Sequence, residues 1–84
     1  MWQLINDCGK QVNIGYRIRQ NIRAEDVYVT EYKIHEFETD KYKLHLISKS
    51  KNGVEAPVDP NEVIVLTCEQ ILQYQFEVWT EKED

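Results

Sequence analysis

Apolar and polar residues alternate with a period of two along three stretches of the chain, at residues 12–19, 42–47 and 72–78. Successive side chains of a β-strand point to opposite faces of the sheet, so each stretch predicts a strand with one buried and one exposed face. Because a period of two, rather than 3.6, is the dominant signal, the sequence predicts a mainly β fold.

The apolar pattern changes phase within residues 26–38. Val27 and Val29 occupy positions of one parity, whereas Tyr32 and Ile34 occupy positions of the other. One extra residue in a strand moves every later side chain to the opposite face, which is the effect of a β-bulge. The segment therefore predicts a long strand with a bulge or sharp bend, of the kind that lets a sheet curl into a small barrel.

Two turns are predicted in the middle of the chain. Residues 38–40 predict the turn of a hairpin between strands at residues 26–38 and 41–49. Asn52-Gly53 predicts a second tight turn, because both residues readily adopt the positive φ that such turns need. A short strand at residues 54–58 follows.

Two helix-start signals follow in the last third of the chain. The sequence Asp-Pro-Asn-Glu at residues 59–62 is typical of a first helical turn. The β-branched run at residues 63–66 favours a strand directly afterwards, so we expect a single 3₁₀-like turn. Thr67 and Gln70 have the spacing of a capping box. Residues 71–79 are compatible with a helix or a strand, and their alternation and aromatic content favour the strand.

The 84 residues predict one domain, because half of so short a chain could not bury a core of its own. We expect residues 1–80 to form a small curled antiparallel sheet of five or six strands with one short helical turn. Residues 81–84 are predicted to be a frayed acidic tail. The predicted core consists of Leu4, Val12, Ile14, Ile18, Val29, Ile34, Leu44, Leu46, Val58, Ile64 and Leu66.

Residues 4–19 read Leu-Ile-Asn-Asp-Cys-Gly-Lys-Gln-Val-Asn-Ile-Gly-Tyr-Arg-Ile-Arg. The order of a short strand, a turn with Asp, Gly and Lys, and an apolar-x-apolar-Gly pattern before Arg resembles the start of small bacterial and phage SH3-like barrel proteins. Tyr16 stands where those proteins usually have Asp. The resemblance extends over about residues 3–67. It implies an SH3-like barrel that binds proteins or nucleic acids through its loops and one open face.

The net charge of −5 is distributed unevenly along the chain. Residues 1–51 contain nine Lys and Arg against seven Asp and Glu, whereas residues 52–84 contain one against eight. Phosphate contacts supply most of the non-specific affinity for nucleic acids, so an acidic chain is a poor general binder of polyanions. The locally basic first half nevertheless keeps nucleic-acid binding open.

The residue types that hold metals or perform catalysis are few and widely spaced. His35 and His45 are ten residues apart, and Cys8 and Cys68 lie further away, whereas structural zinc sites usually take ligand pairs from spacings such as Cys-x₂₋₄-Cys. The three glycines are scattered, which excludes a Gly-rich phosphate loop. We expect no metal, no cofactor, no catalytic residue and no enzymatic activity.

Cysteine content and hydropathy lead to an expected location. Two cysteines are too few for a disulfide scaffold, so we expect two reduced thiols in a cytoplasmic protein. No apolar run reaches the roughly 18 residues that cross a bilayer, and the N-terminal residues lack the pattern of a signal peptide. We therefore expect neither a membrane segment nor secretion.

A protein partner is the favoured hypothesis for function. The acidic surface after residue 52 would attract an oppositely charged partner, and tryptophan is enriched at binding hot spots. For a phage-borne barrel, the resemblance suggests a modulator of a host protein, encoded by a phage or another mobile element. The candidate protein-binding residues are Glu55, Glu62, Glu69, Glu77 and Trp79.

Two other kinds of partner remain open. A small barrel with a basic groove and aromatic residues can bind single-stranded nucleic acid by stacking bases on its rings. An open edge strand could instead pair with a second copy of the chain and give a homodimer. The candidate nucleic-acid-binding residues are Arg17, Arg19, Arg23, Lys41 and Lys43.

Overall fold

The computed structural model describes residues 1–59 and 61–80, and within them it contains seven strands and two short helices. The predicted acidic tail at residues 81–84 lies outside the described residues. The prediction of a mainly β, antiparallel fold is confirmed, with more strands and one more helix than expected. The elements are β1 (Trp2–Leu4), α1 (Cys8–Gln11), β2 (Arg17–Arg23), β3 (Val27–Glu38), β4 (Lys41–Lys51), β5 (Val54–Ala56), β6 (Val63–Thr67), α2 (Cys68–Gln73) and β7 (Glu77–Trp79).

The strands form one antiparallel sheet in the order β1-β7-β2-β3-β4-β5, and β6 also pairs with β4. Strands β5 and β6 occupy the same side of β4 at different points along its length, because Lys49–Lys51 pair with β5 and Lys41–His45 pair with β6. Within the described residues, no strand pairing joins β1 to β5 or β6. The sheet is therefore curled but open.

The long central hairpin follows the predicted pattern. Its turn lies at Thr39 and Asp40, and Thr39 has the positive φ of 61° that the tight reversal requires. The register between β3 and β4 shifts twice, between Glu31 and Tyr32 and between Ile34 and Glu36. The predicted phase change of the apolar positions is thus confirmed as irregularities of the ladder, which strengthen the local twist and bend of the strand.

The Asn52-Gly53 turn also forms as predicted, with φ values of 52° and 83°. Its asparagine is held by the start of β3. The side-chain Oδ1 of Asn52 accepts a hydrogen bond from the Val27 amide at 2.8 Å, and its Nδ2 donates to Asp26 at 2.9 Å. The turn thereby fixes the distant end of the β3–β4 hairpin.

The region after β6 contains both a helix and a strand, the two alternatives that the sequence left open for residues 71–79. The Thr67 side chain accepts a hydrogen bond from the Gln70 amide, and the Gln70 side chain accepts one from the Thr67 amide, so the predicted capping box is confirmed. Helix α2 ends at Gln73, and Gln75 then takes a positive φ of 56°. The favoured strand is correct for Glu77–Trp79 only, because the buried Ile71 anchors a helix before it.

The turn before β6 is present, and its amide of Glu62 donates to the carbonyl of Asp59 at 3.0 Å. Helix α1, by contrast, had no sequence signal. The side chain of Gln11 stabilises its start by accepting hydrogen bonds from the amides of Asn6 at 2.7 Å and Asp7 at 2.8 Å.

None of the helices in residues 1–59 and 61–80 is long and apolar enough to cross a membrane.

The core lies on the concave side of the sheet, closed by the two helices. Most of the predicted core residues are buried or half-buried, but Leu4 and Ile14 are 55% and 56% exposed. Their assignment to the core was wrong. For Ile14, the period of two does not extend through the turn at Gly15, where φ is 91°. Leu4 ends the three-residue strand β1, which lies at the edge of the sheet. The buried hydrophobic residues are Ile5, Cys8, Val12, Ile18, Ile34, Tyr42, Leu44, Leu46, Ile71, Phe76 and Val78.

The two cysteines form a disulfide, so the expectation of reduced thiols was wrong. Cys8 at the start of α1 and Cys68 at the start of α2 are 60 positions apart in sequence, with their Cα atoms separated by 6.0 Å. Pairing of this kind depends on how the chain folds over long range, which cysteine count alone does not reveal. The bond holds both helices against the same end of the core.

Leu44→Ala should lower the free energy of unfolding by about 2–5 kcal/mol, because the leucine is fully buried and its loss leaves a cavity. Ile14→Ala is the control and should cost about 0.5 kcal/mol or less, since its side chain is mostly in solvent. Urea unfolding followed by tryptophan fluorescence measures both values. Equal losses would contradict this assignment of the core.

Reduction of the disulfide should lower the free energy of unfolding by about 4 kcal/mol, since it frees a loop of about 60 residues in the unfolded chain. The measurement is urea unfolding with and without dithiothreitol. The double variant Cys8→Ala, Cys68→Ala should show the lower stability in both conditions. Unfolding curves of the unmodified protein that coincide with and without the reductant would contradict the prediction.

Candidate functional site

Two tryptophan side chains lie side by side on the outer face of the sheet. Trp2 on β1 and Trp79 on β7 are directly paired across the strands, and their ring centroids are 5.4 Å apart with a 65° angle between the planes. This edge-to-face arrangement suits the quadrupoles of two aromatic rings. Both rings are half-buried, although each belongs to a strand of only three residues.

Two arginine side chains from β2 extend over these rings. The guanidinium carbon of Arg19 lies 4.5 Å from the centroid of Trp2, and that of Arg17 lies 5.6 Å from the centroid of Trp79. Both distances are within the range of cation–π attraction. The register explains the placement, because Ile18 pairs with Val78 on the buried face and leaves the arginines on the opposite face.

Each arginine also has a carboxylate partner. Nε of Arg19 lies 2.8 Å from Oε1 of Glu77, and Nη1 of Arg17 lies 3.5 Å from Oε2 of Glu31. The side chains of Arg19 and Glu77 are only 24% and 27% exposed, so this pair is the better shielded of the two. We call the surface formed by Trp2, Trp79, Arg17, Arg19 and Glu77 the Trp–Arg face.

An open cleft of about 800 Å³ borders the Trp–Arg face. Its wall includes Trp79 and Arg17, with Lys10 from α1 and Tyr16 from the segment between α1 and β2. Both polar and apolar residues line the cleft. Trp79 is one of them, so one side of this residue borders the cleft. The Trp–Arg face is therefore the rim of a concave surface.

The candidate protein-binding residues separate into two groups. Glu77 and Trp79 belong to the Trp–Arg face. The other three lie in a different part of the molecule. Glu55 is on β5 and Glu62 directly precedes β6, and both of these strands pair with β4. Glu69 is on α2, the helix that follows β6. The structure therefore does not bring all five predicted residues to one site.

The candidate nucleic-acid-binding residues are also divided. Arg17 and Arg19 are on the Trp–Arg face and are paired with carboxylates, whereas Lys41 and Lys43 lie on β4. Lys43 is itself 3.3 Å from Glu36. Arg23 is at the end of β2, opposite Val27. These five cations do not line one groove.

A second apolar surface was missed at the sequence level. Ile14, Tyr16 and Phe37 are each about half exposed and, with the buried Tyr42, line a groove of about 350 Å³. The rings of Phe37 and Tyr42 lie 4.5 Å apart. The alternation placed Ile14 and Tyr16 on a buried face, so no sequence signal indicated that they would lie together in solvent.

The two histidines lie together on the neighbouring strands β3 and β4. The rings of His35 and His45 stack with centroids 4.4 Å apart. Cys8 and Cys68 are used by the disulfide and so offer no thiolate ligand. Across residues 1–59 and 61–80, no three side chains of His, Cys, Asp or Glu are grouped as metal ligands would be.

Two tyrosines have altered acidity. Burial raises the pKa of the Tyr32 hydroxyl above its ordinary value of 10.0, and the negative charge of Glu62 raises it further. Burial alone raises the pKa of the Tyr42 hydroxyl. Both groups belong to the packing of the hydrophobic core and its border, away from the Trp–Arg face.

Comparison of the chain with protein-family models, with curated proteins and with solved structures finds no match. The geometry of its own residues therefore carries the functional interpretation.

Raised tyrosine pKa values predict a loss of stability in alkaline solution. The unfolded chain releases these protons near pH 10, before the folded chain does, so the free energy of unfolding should fall as the pH rises above about 10. Tyr32→Phe removes one of the two hydroxyls and should make this fall less steep than in the unmodified protein. Urea unfolding at a series of pH values measures the slope, and equal slopes in the variant and the unmodified protein would contradict the prediction.

Proposed function

We propose that this protein is a non-enzymatic binding module that contacts a protein partner through the Trp–Arg face. One observation carries the proposal, namely the pair of tryptophan rings held under two guanidinium groups. Tryptophan and arginine are among the residues most enriched where single side chains dominate binding energy. On this face they are neighbours on adjacent strands.

These side chains are already held in place before a partner binds, and this supports the proposal. Trp2, Trp79 and Arg19 already contact one another in the free protein, and Glu77 fixes the guanidinium of Arg19. A binding surface whose large side chains are already positioned loses less conformational entropy when a partner arrives. A surface that combines aromatic rings with charged groups also has the mixed apolar and polar composition that is typical of protein–protein interfaces.

Nucleic-acid binding is the weaker alternative on these contacts. Arg17, Arg19 and Lys43 each have a carboxylate within 3.5 Å, which offsets their charge toward phosphate. A single-strand binder combines a continuous basic groove with rings open to stacking. Here Trp2 and Trp79 are half-buried by each other and by the arginines.

The narrower predictions rest on the resemblance and the composition. We propose an SH3-like barrel ancestry and a role as a modulator of a host protein encoded by a phage or another mobile element, on the residues that carry the resemblance. The cytoplasmic location stays a prediction as well. The disulfide between Cys8 and Cys68 counts against a cytoplasmic location, because reducing compartments keep most cysteine pairs as thiols.

The test is affinity capture from a lysate of the source cells at moderate salt, followed by titration of the captured protein. Trp79→Ala should weaken its binding by about 30-fold or more, since a hot-spot residue contributes at least about 2 kcal/mol. Arg17→Ala removes an exposed side chain of the same face and should also weaken binding. Tyr74→Ala, at an exposed position on the helix end, is the matched control.

Thermal unfolding of each variant separates lost contacts from lost structure. A partner that binds all three folded variants equally would contradict the assignment to the Trp–Arg face. A parallel titration with single-stranded oligonucleotides at about 50 mM salt tests the alternative, since phosphate contacts weaken steeply as salt increases. Tight, salt-sensitive oligonucleotide binding that Arg17→Ala reduces would replace the protein partner with a nucleic acid.

A further inference from the structure

Strand β6 has one paired edge and one open edge. It pairs with β4 through residues Val63 to Thr67, and no second strand pairs with it in the part of the chain that the structure describes. The amide of Leu46 donates to the carbonyl of Glu62 at 3.2 Å, which fixes the direction of the backbone groups. Because these directions alternate along a strand, Ile64 and Leu66 face β4, and Val63 and Val65 face the open edge.

The open edge presents a short template for another strand. Val63 and Val65 each direct one amide and one carbonyl outward, and their side chains are 39% and 51% exposed. Rows of unpaired backbone groups of this kind accept an extended peptide by strand addition. Exposed valines beside them suit the alternating apolar side chains of such a peptide.

The charges around this edge select the kind of peptide. No Lys or Arg occurs between residues 52 and 80. Asp59 and Glu62 precede β6, and Glu69 follows it. Two cations flank β6 on β4, because Lys43 lies opposite Val65 and Lys41 lies opposite Thr67. Lys43 is 3.3 Å from Glu36, and Lys41 has Glu38 as its neighbour across the β3–β4 ladder, so carboxylates on β3 offset both. Asp59, Glu62 and Glu69 therefore remain in excess around β6, and they complement a segment with basic ends.

A second copy of the chain fits this edge less well. Antiparallel pairing of two β6 strands about Val65 would place Glu62 of one copy level with Cys68 of the other, where α2 begins and Glu69 follows. Each copy would also bring its own excess of carboxylates to the interface, and like charges oppose association. The charge pattern therefore argues against the homodimer that an open edge strand alone would suggest.

We propose that the open edge of β6 accepts, as an added strand, an extended segment of a partner protein with alternating apolar residues and Lys or Arg at its ends. Backbone hydrogen bonds to Val63 and Val65 hold the segment, and Asp59, Glu62 and Glu69 favour its basic ends. This site is separate from the Trp–Arg face, which lies toward the other end of the strand order. It does not depend on the function proposed for that face.

The probe is a fluorescein-labelled peptide, Lys-Lys-Thr-Val-Thr-Val-Thr-Lys-Lys, titrated by fluorescence anisotropy. Its control has Glu in place of every Lys. The unmodified protein should bind the basic peptide at least about tenfold more tightly than the acidic one, with a preference that shrinks as salt increases. The double variant Glu62→Lys, Glu69→Lys should reverse the preference.

Two substitutions at one position test the backbone contact. Val65→Pro removes an amide hydrogen that points away from β4, so it should abolish peptide binding and keep the β4 pairing. Val65→Thr keeps the amide and the branched shape and should retain binding. A peptide N-methylated at its second valine provides the same test from the other side if Val65→Pro does not fold.

Three results would overturn the proposal. The first is equal affinity for the basic and acidic peptides, and the second is unchanged binding to folded Val65→Pro or of the N-methylated peptide. The third is a dimer in analytical ultracentrifugation that Val65→Pro dissociates, which would make a second copy the occupant. Trp79→Ala should leave peptide binding unchanged, so failure of this site and failure of the Trp–Arg face are distinguishable.

Discussion

The position of β7 between β1 and β2 is the constraint on which the rest of the structure depends. Three residues, Glu77–Trp79, pair with strands from the start of the chain on both sides. Val78 enters the core against Ile18, and its neighbours in sequence are thereby directed to the outer face. A shift of one residue in this register would exchange the two faces and would dismantle both the core and the Trp–Arg face.

Local structure could be predicted from the sequence, whereas structure set by distant contacts could not. The bulged strand, both turns and the Thr67–Gln70 cap depend on residues within a few positions of one another. The exposure of Ile14 and Leu4 depends on where the chain leaves the sheet and on which strand covers it. The disulfide depends on folding across 60 positions, and no spacing rule for a pair of cysteines contains that information.

The candidate site shows the same division. The sequence identifies the residue types, because it indicates Trp79 and Glu77 for protein binding and Arg17 and Arg19 for nucleic-acid binding. The pairing of β7 with β2 places these rival candidates on one surface, where each arginine is shared between a ring and a carboxylate. The acidic and the basic candidates therefore belong to one surface, on which the charges of the arginines and the glutamates nearly balance.

The Cys8–Cys68 disulfide also has a mechanical consequence. It closes a covalent ring that contains β2 to β6, and it leaves β1 and β7 outside that ring. Tension applied along the chain from both sides would pass through the sulfur–sulfur bond rather than through the enclosed strands. Stretching would first separate β1 from β7 and disperse the tryptophan pair, while the greater part of the sheet would bear no load.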